Sequence, residues 1–413
     1  MNKPFTYISL FSCAGIGCYG FNQEGFECVA TSELIERRLN IQKYNNKCKY
    51  ESGYICGDIV LDETKNKIFN EIDFWKSNEK ITDIDVVIGT PPCQGMSMAN
   101  TYKCETDLNR NSLVIEAISL VEKINPKYFI FENVPAFLNT HCVDTDETTK
   151  LIKIVIGEHL SNKYNINYSV LDFAYYGSNS HRKRTLVIGV RKDINVNPKS
   201  LFPDNNISPT LRELIGNLPT LNSMGEITET DIYHNFREYD NRMFDWIHNT
   251  PEGYSAFDNE NPQHRPHQLD ENGKIIFNQR KMASKYSRCW YDRIAPCVLT
   301  RNDTIASTNT IHPQQDRVFS IRECMLMQTI PYNFKWSDCD LDYLNSLSFK
   351  EKQQYLKVNE INIRQCIGES VPTEIFRQIA HKIKTATTNP NELNYIPNGD
   401  FGRIDNQKIK KLF

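Results

Sequence analysis

Through the first half of the chain, short apolar and β-branched runs alternate with stretches whose apolar residues recur at helical spacing. Runs of the first kind predict strands from Tyr7 to Phe11, Cys28 to Thr31, Tyr54 to Cys56, Asp85 to Ile88, Tyr128 to Phe131, Tyr168 to Phe173 and Thr185 to Val190. Between the fourth and fifth, Leu113, Ala117, Leu120, Val121 and Ile124 predict a helix that stops before Pro126. This alternation is the pattern of βαβ units and a mostly parallel sheet, so the expected fold is a doubly wound α/β domain.

After Arg191 the texture changes to Asn, Pro and polar residues with weak periodicity, and a second, smaller domain is expected there. Regular patterning returns at Ser320, where Ser320 and Glu323 predict a capping box for a helix through Gln328. Another helical stretch runs from Ile363 to Ile383. The expected organisation is a first domain over 1–194, a small domain over 195–358, a returning helix over 359–386 and an irregular tail over 387–413.

The composition suits a globular protein, with 413 residues and 39% hydrophobic positions to supply a core. The start of the chain carries no charged-then-apolar leader, and no apolar run is long enough to span a bilayer, so a soluble intracellular chain without a membrane partner is expected. The 13 cysteines include no Cys-x-x-Cys pair, which argues for reduced thiols and against a zinc site or a disulfide framework. A net charge of −3 disfavours indiscriminate polyanion binding. Locally, however, Arg280, Lys281, Lys285, Arg288, Arg293 and Arg301 face one acid, Asp292, with Tyr286, Trp290 and Tyr291 interleaved. That stretch is either a phosphate-contacting surface or a solvated basic loop.

Candidate chemistry gathers at the predicted strand ends. The first strand leads into Phe11-Ser12-Cys13-Ala14-Gly15-Ile16-Gly17, a small-residue turn that lets a cofactor approach the backbone. The second ends at Glu33 and the third at Gly57-Asp58-Ile59. An isolated acid at such a place is more often a helix cap or a solvated charge, but three successive strand ends with suitable groups shift the balance to a nucleoside pocket. The fourth strand empties into Gly89-Thr90-Pro91-Pro92-Cys93-Gln94-Gly95, where two prolines stiffen the approach to a thiol. Cys93 is a candidate nucleophile for C6 of cytosine; the alternative is an inert buried cysteine. The fifth strand ends at Glu132-Asn133-Val134, where a carboxyl group could bond N3 and the exocyclic amine of that base. Arg182 and Arg184, at alternate positions before the last strand, would share a side if extended and could donate to O2 and phosphate.

Together these residues resemble the DNA cytosine-5 methyltransferase family over nearly the whole chain, most specifically through Pro92-Cys93-Gln94 and Glu132-Asn133-Val134. The resemblance implies a class I S-adenosylmethionine-dependent, Rossmann-like fold with a small target-recognition domain. It also implies Cys93, Glu132, Arg182 and Arg184 as catalytic groups, and a cofactor pocket of Phe11, Gly15, Gly17, Glu33, Asp58, Ile59, Pro92, Leu113, Ser370 and Val371. Further matches are the Arg317 to Glu323 segment continued by Gln328, Pro331 and Phe334, and the closing Ile367-Gly368-Glu369-Ser370-Val371-Pro372. Four positions depart from the family: Cys13 where Gly is usual, Asn179-Ser180 for Pro-Gln, and Glu369 for Asn.

The implied reaction is methylation of a flipped cytosine in double-stranded DNA, without a metal. The implied setting is a monomer in the bacterial cytoplasm or nucleoid, with a restriction endonuclease as companion. Site choice is expected between Val196 and Arg301, with Lys281 and Arg288 as phosphate contacts. Two alternatives are a tRNA cytosine-5 methyltransferase and a catalytically silent DNA-binding protein. The first is disfavoured because Pro135-Ala136-Phe137 follows Glu132-Asn133-Val134 where tRNA enzymes carry Cys-Phe-Thr, the second by retention of Cys93 and Glu132.

Overall fold

The computed structural model describes residues 3–92, 113–278, 284–389, 393 and 395–405. The chain forms two compact units, the larger from residues 1–177, 183–206 and 373–413 and the smaller from 178–182 and 207–372.

The large unit is built on an eight-stranded sheet. Its strands are β1 (Phe5–Leu10), β2 (Phe26–Glu33), β3 (Tyr54–Cys56), β4 (Val86–Gly89), β5 (Tyr128–Asn133), β6 (Tyr164–Asp172), β7 (Lys183–Arg191) and β8 (Gly402–Ile404). They lie in the order β8-β6-β7-β5-β4-β1-β2-β3. From β3 through β5 the strands are parallel, and β7, β6 and β8 add to them antiparallel. Strands β4 and β5 are buried along their whole length, as a parallel sheet covered on both faces requires, and their sequences are accordingly near-continuous apolar runs. The strand order reverses between β1 and β4, so ligands are expected at the carboxyl ends of these strands.

Helix Leu113–Ile124 buries Val114, Ala117, Ile118 and Val121 as one apolar stripe. It stops at Asn125, whose φ of 53° is left-handed and whose N–H caps the Val121 carbonyl at 2.9 Å, one residue before Pro126. Helix Asp62–Asn78 buries Ile68, Ile72 and Trp75 in the same core as Phe129 and Phe131.

Three boundaries differ from the expected ones. Residues 195–206 stay with the large unit, because Leu201 and Phe202 are fully buried and Phe202 packs edge-on against Phe401 at 4.9 Å. The returning helix is two helices: Phe349–Glu369 belongs to the small unit and Thr373–Thr388 to the large one. The break falls at Val371-Pro372, where proline withholds a donor and disfavours helix in the residue before it. The tail is not wholly irregular, since β8 pairs with the open edge of β6.

In the small unit Ser320 and Glu323 form both bonds of a capping box at the start of helix Ile321–Met327. The Glu323 carboxylate also takes two bonds from fully buried Arg317, at 2.7 and 2.8 Å. The motif from Arg317 to Glu323 is thus a scaffold in this unit. Among the described residues no helix is long and apolar enough to cross a membrane.

Candidate active site

The loop after β1 is strained, with Phe11 at φ 56°, Cys13 at 49° and Gly15 at 75°. Two of these residues carry a Cβ, so the left-handed conformation must be held from outside. Ser12 N–H donates to the Ser32 carbonyl at 3.1 Å and Cys13 N–H to Glu33 Oε2 at 2.7 Å. Beneath the loop lies Gln42, which is 1% exposed. Its amide nitrogen donates to Ser12 Oγ at 2.8 Å and to the Cys13 carbonyl at 2.6 Å. Its oxygen accepts from Thr31 Oγ1 at 2.7 Å and from Lys47 Nζ at 2.9 Å. At Gly15 an added Cβ would stand 3.0 Å from Gln42 Cγ, on a backbone already left-handed. Neither Gln42 nor Lys47 was expected from the sequence. The only trace is a polar residue on the buried face of helix Glu36–Tyr44, three positions after Leu39.

Glu33 is buried at the end of β2, and each carboxylate oxygen carries one backbone donor, from Cys13 and from Ile35 at 3.1 Å. A carboxylate offers about four lone-pair directions, so two remain for hydroxyl donors. Asp58, exposed beyond β3, accepts from Val60 N–H at 3.0 Å, and Ile59 beside it is buried. Register places Leu10 beside Ser32 and Glu33 beside Cys56. The Phe11–Gly17 loop, Glu33 and Asp58 therefore follow adjacent strand ends. A tight loop of mostly small residues between Phe11 and Gly17, next to two acids, fits the amino-acid and ribose-adenine parts of S-adenosylmethionine. Gly15 and Gly17 are buried in the loop, Phe11 and Leu113 are half-buried, and Pro92 is exposed.

Helix Thr373–Thr388 closes the far side of the loop. Thr373 Oγ1 donates to the Ile16 carbonyl at 3.1 Å, and at Gly20 a Cβ would meet Thr373 O and Arg377 N at 2.5 Å. Only glycine permits that approach.

Cys93 lies outside the described residues. Its approach does not: Gly89 pairs with Phe131, so Thr90, just past β4, neighbours Glu132 near the end of β5. Asn133 Nδ2 donates to the Pro91 carbonyl at 2.9 Å, tying the end of β5 to the residue two before Cys93. Glu132 is 6% exposed and paired with Arg184, whose Nε lies 3.1 Å from Oε1.

Of the two expected arginines, Arg182 falls in the small unit and Arg184 in the large one. Arg184 stays on β7 with Glu132. Arg182 is buried in the small unit, where its terminal nitrogens donate to the Gly368 and Glu369 carbonyls, both at 3.2 Å. Ser370 and Val371 are buried at the end of helix Phe349–Glu369, and Ser370 Oγ donates to the Ile367 carbonyl at 2.8 Å. The sequence holds a second Pro-Cys dipeptide, Pro296-Cys297, in the small unit, and Cys297 is half-buried.

Arg288 is also not a phosphate contact. It is 6% exposed, and its guanidinium donates to the carbonyls of Ile247, Thr250, His312 and Gln315 and to Asp316. Arg280 and Lys281 lie outside the described residues. Several other thiols are chemically quiet: burial pushes Cys142 and Cys324 up to about 12. Among the described residues no cluster of His, Cys, Asp or Glu could hold a metal ion.

Strand order, the switch-point loop and the acids at successive strand ends define a nucleoside-dependent methyltransferase of the α/β class. The family model of C-5 cytosine-specific DNA methylases matches residues 5–385, and the chain belongs to that family. It is 30% identical to the Type II methyltransferase M1.HgaI of Avibacterium volantium over 93% of this chain and 99% of the relative. It is 25% identical to M.DdeI of Desulfomicrobium norvegicum over 94% and 90%. Among solved structures, a DNA modification methyltransferase encoded within a prophage (E. coli) superposes with a TM-score of 0.62 at 17% identity, covering 93% of this chain and all of that one. The Entamoeba histolytica methyltransferase EhMeth gives 0.53 at 12%, covering 94% and 99%. These two likenesses concern the fold. The family's chemistry is covalent, with S-adenosylmethionine as methyl donor.

Proposed function

We propose that this enzyme methylates C5 of a flipped cytosine in a specific duplex DNA sequence, with Cys93 as nucleophile and Glu132 as the carboxyl group at N3. The carrying observation is the pairing at the ends of β4 and β5, where Asn133 anchors Pro91 beside the Glu132–Arg184 pair. The Cys93 thiolate adds to C6 and electron density moves to C5, which takes the methyl group; loss of the C5 proton then expels the thiolate. S-adenosylmethionine supplies the electrophilic methyl. Phe11, Gly15, Gly17, Glu33, Asp58, Ile59, Pro92 and Leu113 would hold it, with Ser370 and Val371 from the closing motif. Arg184 stays with Glu132 near the base, and Arg182 positions the closing motif through its two carbonyl acceptors. Fixing nucleophile, base and donor in line supplies much of the rate.

The small unit reads the duplex. The Type II names of the relatives support a role beside a restriction endonuclease; the enzyme is read as a monomer acting on DNA in the bacterial cytoplasm.

A duplex carrying 5-fluorocytosine at the target cannot lose fluorine as a cation, so the enzyme should stay covalently attached. Cys93→Ala should abolish the adduct and all transfer, and Cys297→Ala should keep both. An adduct mapped to Cys297 would overturn the assignment, and labelled methyl appearing in tRNA rather than duplex DNA would favour the RNA reading.

A further inference from the structure

The basic, aromatic stretch after residue 284 is largely committed to the fold. Arg288 is buried, Arg212 forms a two-bond pair with Asp292 at 2.6 and 2.9 Å, and Arg301 bonds Asp303 at 3.0 Å. Arg293 differs. It is exposed, and among the described residues its guanidinium joins no ion pair. It lies 4.5 Å from the centre of the Trp290 ring. Trp290 is itself fixed from below: at Gly253, whose φ is 78°, an added Cβ would stand 2.0 Å from the indole. A glycine backbone thus seats the indole, and the indole orients a free guanidinium.

This pair forms part of the wall of an open cavity of about 480 Å³ within the small unit. Its polar lining also includes Ser255, Asp258, Asn309 and His181. The lining is mixed in sign. A pocket for phosphate would not present the Asp258 carboxylate, whereas a base edge offers acceptors and amino donors together. A guanidinium seated over an aromatic ring loses part of its freedom and offers its donors as a planar fork, which suits two acceptors in one plane.

We propose that Arg293, oriented by Trp290 on Gly253, is a specificity-determining residue that reads the paired O6 and N7 acceptors of a guanine in the recognised DNA site. The inference rests on the reading that the small unit contacts the duplex.

The test uses the full-length protein. Bisulfite sequencing of DNA from cells expressing the wild type first defines the modified site; absence of any modified cytosine would sink the methyltransferase reading itself, apart from this proposal. Given a site, Arg293→Ala should modify cytosines in sequences relaxed at one guanine, with kcat/KM on the original site lower by on the order of 5- to 150-fold, the range for one bidentate base contact. Arg293→Lys keeps the charge and loses the fork, so it should relax the same position. Trp290→Ala should do so in part, and Trp290→Phe should restore discrimination. Cofactor affinity, a control for folding, should be unchanged in all four. Uniform weakening on every sequence, with the salt slope reduced by about one, would make Arg293 a phosphate contact and overturn the proposal. Unchanged site preference in Arg293→Ala would overturn it equally.

Discussion

Arg288 has five N–H donors, and the small unit gives each an acceptor. Its place in a basic run therefore misleads: charge counting along a sequence cannot separate a solvated arginine from one spent on loop carbonyls. Removing it takes one donor from each of four carbonyls and breaks its buried ion pair with Asp316. Arg288→Ala should cost about 3–5 kcal/mol, the range for breaking a buried charged network. The readout is a lower urea midpoint, with the salt slope of DNA binding unchanged in whatever protein remains folded. Gln42 is the opposite case, a residue with no sequence signature that holds the candidate cofactor loop. Strand-end acids such as Glu33 were legible because the end of an apolar run locates them; Gln42 was not, because its partners at 12, 13, 31 and 47 meet it only after folding. Gln42→Leu should weaken S-adenosylmethionine binding and lower Tm, since it leaves Lys47 without one acceptor in a buried site at a cost of roughly 1–3 kcal/mol. Gln42→Glu keeps an acceptor for Lys47 but cannot donate to Ser12 and Cys13. It should recover stability without recovering cofactor affinity, measured calorimetrically, and recovery of both would remove Gln42 from any positioning role.

At the scale of elements, the capping box at Ser320 and the helix ending at Asn125 were readable because both are local. The edge strand Gly402–Ile404 was not, since three residues carry no period and their conformation is set by the free edge of Tyr164–Asp172. The small unit, rich in short turns, was legible only as a change of texture, and beside its apolar cluster around Trp246 and Ile311 it buries many polar groups. His312 is 3% exposed, and its Nδ1 accepts from the Gln314 and Gln315 N–H groups, both at 3.1 Å, so protonation there would forfeit both bonds. Burial, reinforced by Arg317 and Arg288 against the opposing pull of Glu323, pushes the group down to about 3. An unfolded histidine protonates near pH 6.5. The folded pKa being depressed, stability is complete above about 6.5 and falls as pH drops toward 3, by roughly 1.4 kcal/mol per unit in the window. Glu323, also depressed because Arg317 outweighs its burial, adds a loss only below the ordinary carboxylate range. The urea midpoint should therefore be lower at pH 5.5 than at pH 7.5, and His312→Asn, which keeps an acceptor without a titrating ring, should shrink that difference. An equal difference in the variant would assign the acid sensitivity elsewhere.

For the whole molecule, the division into units decides how the recognition region can be moved. The segment 178–182 belongs to the small unit although it lies between strands of the large one. Its contact with the region from 207 to 301 includes backbone pairing, with Ser180 bridging Ala295 and His181 N–H donating to the Ala295 carbonyl at 2.9 Å. Main-chain bonds of this kind do not depend on side-chain identity, so a relative with a different sequence at 178–182 can supply them. The Arg317 to Glu323 scaffold lies outside the exchanged piece and would be the host's own. Transplanting residues 207–301 into a relative of known site should therefore transfer this enzyme's site, read by bisulfite sequencing of DNA from cells making the chimaera. Phosphate contacts elsewhere in the host would still position the duplex, since they carry no sequence information. If the chimaera is insoluble, a second version that also carries residues 178–182 restores the native bridge. A folded, active chimaera that keeps the host's site would place recognition outside 207–301.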